Sequence, residues 1–95
     1  MKAIVAYSHQ LLKDIVQHGD IVIDATCGNG NDTIFLSGLV GKFGKVYAFD
    51  IQKQAIAKTK ILLEKNNINN VELIEDGHEK VTHYIVNQPI AGGHI

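Results

Sequence analysis

A glycine-containing stretch, residues 24–32 with the sequence DATCGNGND, holds the residue types best suited to binding a ligand. Gly28 and Gly30 can adopt a positive φ, and the absence of a Cβ lets their backbone approach a ligand closely. The stretch follows a short β-branched run and precedes an apolar segment, so it lies where a strand gives way to a helix. Open α/β sheets bind ligands at that end of their strands. A tight turn would use the same glycines, so this interpretation needs support from elsewhere in the chain.

Two further polar segments follow strand-like runs at comparable positions. Asp50 comes about 20 residues after the glycines, where a carboxylate can accept hydrogen bonds from both ribose hydroxyls of a nucleotide cofactor. Residues 75–78, Glu-Asp-Gly-His, follow the next run, where the adenine would lie in such a fold. Three such signals at consecutive strand ends predict a ligand that contains a nucleoside.

The residues beside the glycines indicate which nucleoside. The dinucleotide fingerprint has a third glycine and places a pyrophosphate at the helix N-terminus. Here Thr33 occupies the glycine position, and Asn31 and Asp32 would crowd or repel a phosphate. S-adenosylmethionine has no phosphate, and its ammonium and sulfonium suit an acidic residue such as Asp24 at the start of the stretch. The sequence therefore favours S-adenosylmethionine over NAD.

The elements that must hold these residues follow from hydrophobic periodicity. Residues 21–23 are a continuous β-branched run, typical of a strand buried on both faces of a parallel sheet. Ala55, Thr59 and Leu62 define one face of an amphipathic helix whose lysines face water. The order of the elements predicts an α/β fold, a Rossmann-like parallel sheet with helical crossovers. We predict helices over residues 8–17, 32–40, 52–65 and 78–86, and strands over 21–23, 45–49, 71–74 and from Ile90.

The motif D-x-x-x-G-x-G at residues 24–30, with an acidic residue at the next strand end, resembles the signature of class I methyltransferases. More narrowly, residues 6–9, DATCGNGNDT, FDIQ and EDGHEK are similar to a family of small bacterial proteins described as rRNA methylases. That family is associated with methylating the aminomethyl group of 5-aminomethyl-2-thiouridine at the tRNA wobble position. The resemblance extends to Pro89, and it implies an S-adenosylmethionine cofactor and, for the intact protein, tRNA as a partner.

Carried over position by position, the resemblance implies a cofactor site. Asn29 and Asn31 would contact the methionyl end of the cofactor, and Asp50 would hold the ribose hydroxyls. Gln52 would contact the ribose or the adenine, and residues 77 and 78 would lie on the adenine side. The expected cofactor-binding set is Asp24, Gly28, Asn29, Gly30, Asn31, Asp50, Gln52, Gly77 and His78. We expect no general base among these residues and no metal site, and the catalytic residues stay unknown.

Several of these residues have a purely structural alternative. Asn31 and Asp32 would then only cap a helix, Gln52 would only begin its helix, and His78 would cap or pack at the next helix start. The single cysteine, Cys27, excludes an intramolecular disulfide and is expected to be a small filler beside the glycines.

Composition narrows the class of protein. The net charge of −1 gives no basic footprint for nucleic acid. No apolar run approaches the ~20 residues that span a bilayer, and the N-terminus lacks a signal-peptide pattern. We therefore expect no membrane partner and a cytoplasmic protein.

The resemblance also raises an expectation about completeness. Family members continue through a fourth strand and a loop that lines the methyl-transfer site, whereas here residues 89–95 begin that strand and end. We therefore expect a partial cofactor-binding domain over residues 1–95 that is inactive alone. In the usual strand order 3-2-1-4, the strand at residues 21–25 would be unpaired on one side and prone to self-association. The alternatives are a methyltransferase for rRNA or a small molecule, and a non-catalytic fragment.

Overall fold

The computed structural model describes residues 3–6, 14–77, 80 and 90–91. Each predicted strand, and the two helices predicted over residues 32–40 and 52–65, is confirmed to within one residue. The helix predicted over residues 78–86 lies largely outside the described residues, as do residues 8–13 of the helix predicted over 8–17; residues 14–17 are described and are not α-helical, so the predicted end of this helix is wrong. The elements are β1 Ala3–Ala6, β2 Ile21–Asp24, α1 Asn31–Val40, β3 Lys45–Asp50, α2 Lys53–Lys65, β4 Val71–Glu75 and β5 Ile90–Ala91.

The strands form one five-stranded sheet in the order β4-β3-β2-β1-β5, and every neighbouring pair is parallel. Parallel neighbours need a crossover connection, which α1 provides between β2 and β3 and α2 provides between β3 and β4. The predicted α/β class with a Rossmann-like parallel sheet is therefore confirmed. Because the strands are parallel, Asp24, Asp50 and Glu75, which end β2, β3 and β4, meet at one edge of the sheet.

Strand β1 corrects the expected strand order. It pairs along the whole of β2, from Ala3 beside Ile21 to Ala6 beside Asp24, and β5 pairs with β1 instead of β2. The expectation that one side of the strand at residues 21–25 would be unpaired is therefore wrong. The four residues of β1 are all apolar and all buried, so this short run satisfies the backbone groups of β2 while adding to the core. The prediction that the chain self-associates is no longer supported by an unpaired strand, and it stays a prediction.

The core lies on both faces of the sheet, as the continuous β-branched run of β2 predicts. On one face, Val22 and Val46 pack against Leu36 and Val40 of α1 and Ala55 of α2. A second buried cluster contains the alternate residues of the strands, namely Ala3, Val5, Ile21, Ile23, Phe49 and Ile74. Within the described residues, neither helix is long and apolar enough to cross a membrane.

The amino ends of the strands are held by a neutral hydrogen-bond cluster around Asn70, just before β4. The Ser37 hydroxyl donates to Asn70 Oδ1 at 2.8 Å, and Asn70 Nδ2 donates to the carbonyls of Ser37 and Gly41 at 3.1 and 2.9 Å. These carbonyls lie at the C-terminus of α1, where the last turn leaves acceptors without helical partners. Asn70 thereby joins the end of α1 to the start of β4.

Candidate cofactor site

Asp50 connects the glycine loop, residues 25–30, to the end of β3. One of its carboxylate oxygens accepts a hydrogen bond from the backbone N–H of Gly28 at 3.1 Å, and the other accepts one from the N–H of Gln52 at 2.9 Å. The loop after β2 and the turn before α2 are therefore bound to the same carboxylate. Each oxygen keeps a further lone pair for another donor, such as a hydroxyl of a ligand.

The loop conformation requires both glycines. Gly28 and Gly30 have φ values of 54° and 93°, a region that side chains with a Cβ rarely adopt. A Cβ on Gly30 would also lie 3.1 Å from Leu62 Cδ2 and 3.2 Å from Thr59 Cγ2. Thr59, fully buried on α2, donates its hydroxyl to the Gly28 carbonyl at 3.3 Å. Helix α2 therefore packs against the loop and holds it by a hydrogen bond.

A cavity of about 140 Å³ opens beside this loop. It brings together four of the residues that the sequence predicts, Gly28, Asn29, Asp50 and Gln52. It also includes Gln54, Ala55 and Lys58, which the sequence assigned only to the helix. Lys58 is exposed and belongs to the set expected to face water, so helix periodicity gave no signal of its place at the cavity.

Ile51 is another residue to which the sequence analysis gave no role. It follows Asp50 directly and is 75% exposed, although isoleucine is usually buried. The signal was present in the sequence as an apolar residue between two polar site residues. Ile51 is not among the residues that line the cavity, although its neighbours Asp50 and Gln52 are.

Asp24 lies behind the loop, outside the cavity. It is only 4% exposed, and its Oδ2 accepts a hydrogen bond of 2.6 Å from the hydroxyl of the fully buried Thr33. Burial, with the nearby charges of Asp32 and Asp50, raises the pKa of Asp24 to about 6, against the lowering effect of the Thr33 hydrogen bond. The sequence analysis expected Asp24 to bind the cofactor; the structure buries it outside the residues that line the cavity, and its role at the ligand stays a prediction.

The remaining predicted residues occupy different positions. Gly30 is buried and is itself the N-cap of α1, with no side-chain cap, so Asn31 and Asp32 lie in the first turn of the helix and do not occupy the N-cap position. Asn31 is exposed, and its N–H donates to Asn29 Oδ1 at 3.2 Å. Gly77 is buried after the end of β4, outside the residues that line the cavity, and His78 lies outside the described residues.

Two other features carry less chemistry. A groove of about 510 Å³ lies between α2 and β4, lined mainly by apolar side chains such as Leu63 and Val71, and it contains none of the predicted site residues. Its volume exceeds that of the loop cavity, but Gly28 of the glycine loop and the Asp50 carboxylate line the smaller one. The described residues contain no cluster of histidine, cysteine and acidic side chains suited to a metal ion.

A glycine loop after one parallel strand, with a carboxylate at the end of the next, defines a Rossmann-like nucleoside-binding domain. Comparison with known proteins gives the family. Residues 46–93 match the model of the family described as "Putative rRNA methylase". The chain belongs to this family.

Relatives of known name and structure agree with the fold. The chain is 49% identical over 63 residues to an Arabidopsis thaliana protein named tRNA (mnm(5)s(2)U34)-methyltransferase, chloroplastic, covering 61% of this chain and 23% of that protein. An rRNA methylase structure from Streptococcus thermophilus has a TM-score of 0.75 and 51% identity, covering 86% of this chain and 47% of that one.

A Streptococcus mutans protein solved in complex with SAH has a TM-score of 0.76 and 51% identity, covering 86% of this chain and 44% of that one. The chain thus spans less than half the length of these relatives.

Proposed function

We propose that this chain forms the cofactor-binding part of an S-adenosylmethionine-dependent methyltransferase that acts on tRNA. The observation that carries the proposal is the Asp50 carboxylate, which lines the cavity beside Gly28 and precedes the exposed Ile51. Ribose hydroxyls need an acceptor of this kind, and an exposed apolar side chain beside it suits an adenine ring. The relative solved with SAH supports the same cofactor.

The charges around the loop fit a cationic cofactor. Asp32 and Asp50 are close enough to Asp24 for both to raise its pKa, so three carboxylates surround the loop. An ammonium and a sulfonium would relieve this repulsion, whereas a pyrophosphate would add to it. Thr33 is fully buried where the dinucleotide fingerprint has its third glycine. We therefore expect no measurable binding of NAD.

In the proposed site, three parts of the chain bind different groups of the cofactor. Asp50 would hold the ribose, with Gln52 beside it, and Asn29 and Asn31 would contact the methionyl end. Gly28 and Gly30 would let the backbone approach the cofactor, and Asp24 would contribute its negative charge from behind the loop. The adenine side would be completed by Ile51, Gly77 and His78.

When bound, S-adenosylmethionine supplies a methyl group that its sulfonium has already activated. The residues of this chain then need only to bind and orient: Asp50 fixes the ribose, and the loop fixes the methionyl end. Alignment of this kind can supply a large share of a rate enhancement. We propose no general base among the described residues.

As methyl acceptor we propose the aminomethyl group of 5-aminomethyl-2-thiouridine in tRNA. The identity of 49% to a protein named as a tRNA methyltransferase supports this choice. The second candidate acceptor is rRNA, which the description of the family names. For the compartment, the cytoplasm stays a prediction, since that relative is named as chloroplastic.

Calorimetric titration of S-adenosylmethionine tests the cofactor. Replacing Asp50→Ala should weaken binding about 10- to 100-fold, because hydrogen bonds to a charged group are lost. Asp14→Ala, an exposed carboxylate ahead of β2, is the matched control and should leave the affinity unchanged. Equal affinities of the native chain and Asp50→Ala would remove Asp50 from the site, and micromolar binding of NAD would overturn the assignment.

Mass spectrometry of digested RNA tests the acceptor. The intact protein is incubated with S-adenosylmethionine and either tRNA that contains 5-aminomethyl-2-thiouridine or rRNA. We expect that nucleoside to gain one methyl group, and the Asp50→Ala protein to transfer far less. If the rRNA is methylated and the tRNA is not, rRNA is the acceptor.

A further inference from the structure

The hydrogen bond between Thr33 and Asp24 joins the two ends of the glycine loop. Asp24 is the last residue of β2, and Thr33 lies in the first turn of α1. The donor and acceptor oxygens are 2.6 Å apart, and the two residues are 0% and 4% exposed. Water therefore does not compete for this contact, which fixes where the loop begins relative to where it ends.

The surroundings of Asp24 oppose its ionisation. Desolvation is the largest cause, and the carboxylates of Asp32 on α1 and Asp50 on β3 act in the same direction, so its pKa is raised to about 6. The Cys27 thiol in the loop also faces this group, and burial raises the pKa of that thiol, so it stays neutral. The neighbouring strand β1 carries no titratable side chain.

Two donors act against this tendency, the hydroxyl of Thr33 and the backbone N–H of Thr26. The N–H is present whatever side chain is at that position. The hydroxyl depends on the residue type at position 33, where valine would have nearly the same shape without the donor. The ionised form of Asp24 therefore depends on one replaceable side chain.

We infer that Thr33 is a positioning residue for the cofactor site: by donating to Asp24, it keeps that carboxylate ionised and holds the loop ends in the geometry that binds a cationic cofactor. The inference rests on the proposed function. Thr33 is buried and acts through Asp24, without contacting the cofactor itself. The threonine at the position of the third glycine therefore has a role in addition to disfavouring a dinucleotide.

The test is the affinity for S-adenosylmethionine between about pH 5 and about pH 8, measured by calorimetry on the native chain and variants. Thr33→Val removes the hydroxyl and keeps the shape, whereas Thr33→Ser keeps the hydroxyl. The affinity should fall with acid, with a midpoint about one to two pH units higher in Thr33→Val than in the native chain. Thr33→Ser should keep the native midpoint.

A control on the same helix separates this effect from general loosening. Ser37→Ala also removes a buried hydroxyl of α1, but that hydroxyl donates to Asn70 at the opposite edge of the sheet. It should lower the melting temperature and leave the pH midpoint unchanged. If Thr33→Val does not fold, Thr33→Ala and Thr33→Ser form a second pair that differs only in the hydroxyl.

The outcomes distinguish the two proposals. Equal midpoints for the native chain and the variants without the hydroxyl, all of them folded and binding, would overturn the role of Thr33 alone. A folded native chain that binds no S-adenosylmethionine at any pH would overturn the proposed function and this inference with it. A pH midpoint that is raised in Thr33→Val and equal to the native value in Thr33→Ser supports both the proposed function and the role of Thr33.

Discussion

The two edges of the sheet are both held by side chains that join distant segments, but with different chemistry. At the amino-end edge, Asn70 uses its neutral amide to bind Ser37 and Gly41, more than 25 residues away in sequence. At the carboxyl-end edge, Asp24 and Asp50 use carboxylates to hold the glycine loop. The contacts of Asn70 involve only neutral groups, whereas the contacts of Asp24 and Asp50 place negative charge around a loop.

This difference indicates that the Asn70 contacts contribute to stability, whereas the carboxylates at the other edge contribute to ligand binding. An amide that matches a donor and two acceptors contributes the same free energy at every pH near neutrality. A buried carboxylate contributes less, because desolvation opposes its charge, and the raised pKa of Asp24 records that cost. The carboxyl-end edge therefore keeps a charge that destabilises the empty fold and favours a cationic ligand.

Gly44→Ala should produce the largest effect, at the amino-end edge. An added Cβ would overlap Val40 Cβ and lie 2.6 Å from the carbonyl oxygens of Val40 and Asp20, and backbone atoms cannot move aside cheaply. We expect a loss of about 4 kcal/mol in the free energy of unfolding, measured by urea denaturation.

Gly38→Ala is the control for that substitution. Gly38 lies in α1, and a Cβ added there would meet no heavy atom within 4 Å beyond its own helix backbone and chain neighbours. Alanine at this position should therefore stabilise the helix by up to about 1 kcal/mol. If the Gly44→Ala chain is as stable as the native one, the backbone at the amino-end edge can move to accommodate the added Cβ, and this edge is not rigid.

Asn70→Ala should have the next largest effect. It removes three hydrogen bonds and leaves two carbonyls at the end of α1 without this donor, so we expect a loss of about 3 kcal/mol. The loss should be equal at pH values on either side of the raised pKa of Asp24, because none of the partners titrates there. Asn69→Ala, at an exposed neighbour, should cost far less. A pH-dependent loss in Asn70→Ala would break the contrast between the edges.

The sequence was sufficient for the parts of this structure that depend on local pattern. The β-branched residues 21–23 and the stripe of Ala55 and Thr59 predicted elements to within one residue, as did the strand assigned to residues 45–49. Strand β1 was missed because four apolar residues near a terminus have no period and no turn signal. Its place between β2 and β5 depends on tertiary pairing alone.

The site was predictable to the same extent. Strand ends are set by local pattern, so Asp50 and Gly28 were found from the sequence, Gln52 was implied by the family resemblance, and the structure brings all three to one cavity. The burial of Asp24 could not be read from the sequence, because it depends on how α1 closes over β2. The role of Asn70 was missed for the same reason: in sequence it appears only as one of several asparagines that end a helix.

Asp24→Asn should give the smallest of these effects, and it tests the carboxyl-end edge directly. The pKa of Asp24 is raised from 3.8 to about 6 in the folded chain. Its protonation therefore contributes stability that is fully present below pH 3.8 and is lost as the pH rises through about 6. Asparagine has the same shape and does not titrate. The stability of Asp24→Asn relative to the native chain should therefore increase by about 2 kcal/mol between about pH 4 and about pH 7.

The comparison across pH removes a complication in this substitution. The asparagine amide has one acceptor oxygen where the carboxylate has two, so the hydrogen bonds to Thr33 and Thr26 cannot both be kept unchanged, and this cost does not vary with pH. Urea denaturation of both chains at the two pH values gives the change in their difference, with Asp14→Asn as an exposed control that should show almost none. The same variant should bind S-adenosylmethionine more weakly at neutral pH, because the negative charge behind the loop is gone. If the stability difference stays constant across this range, Asp24 does not make the carboxyl-end edge pH-sensitive, and the contrast with Asn70 fails.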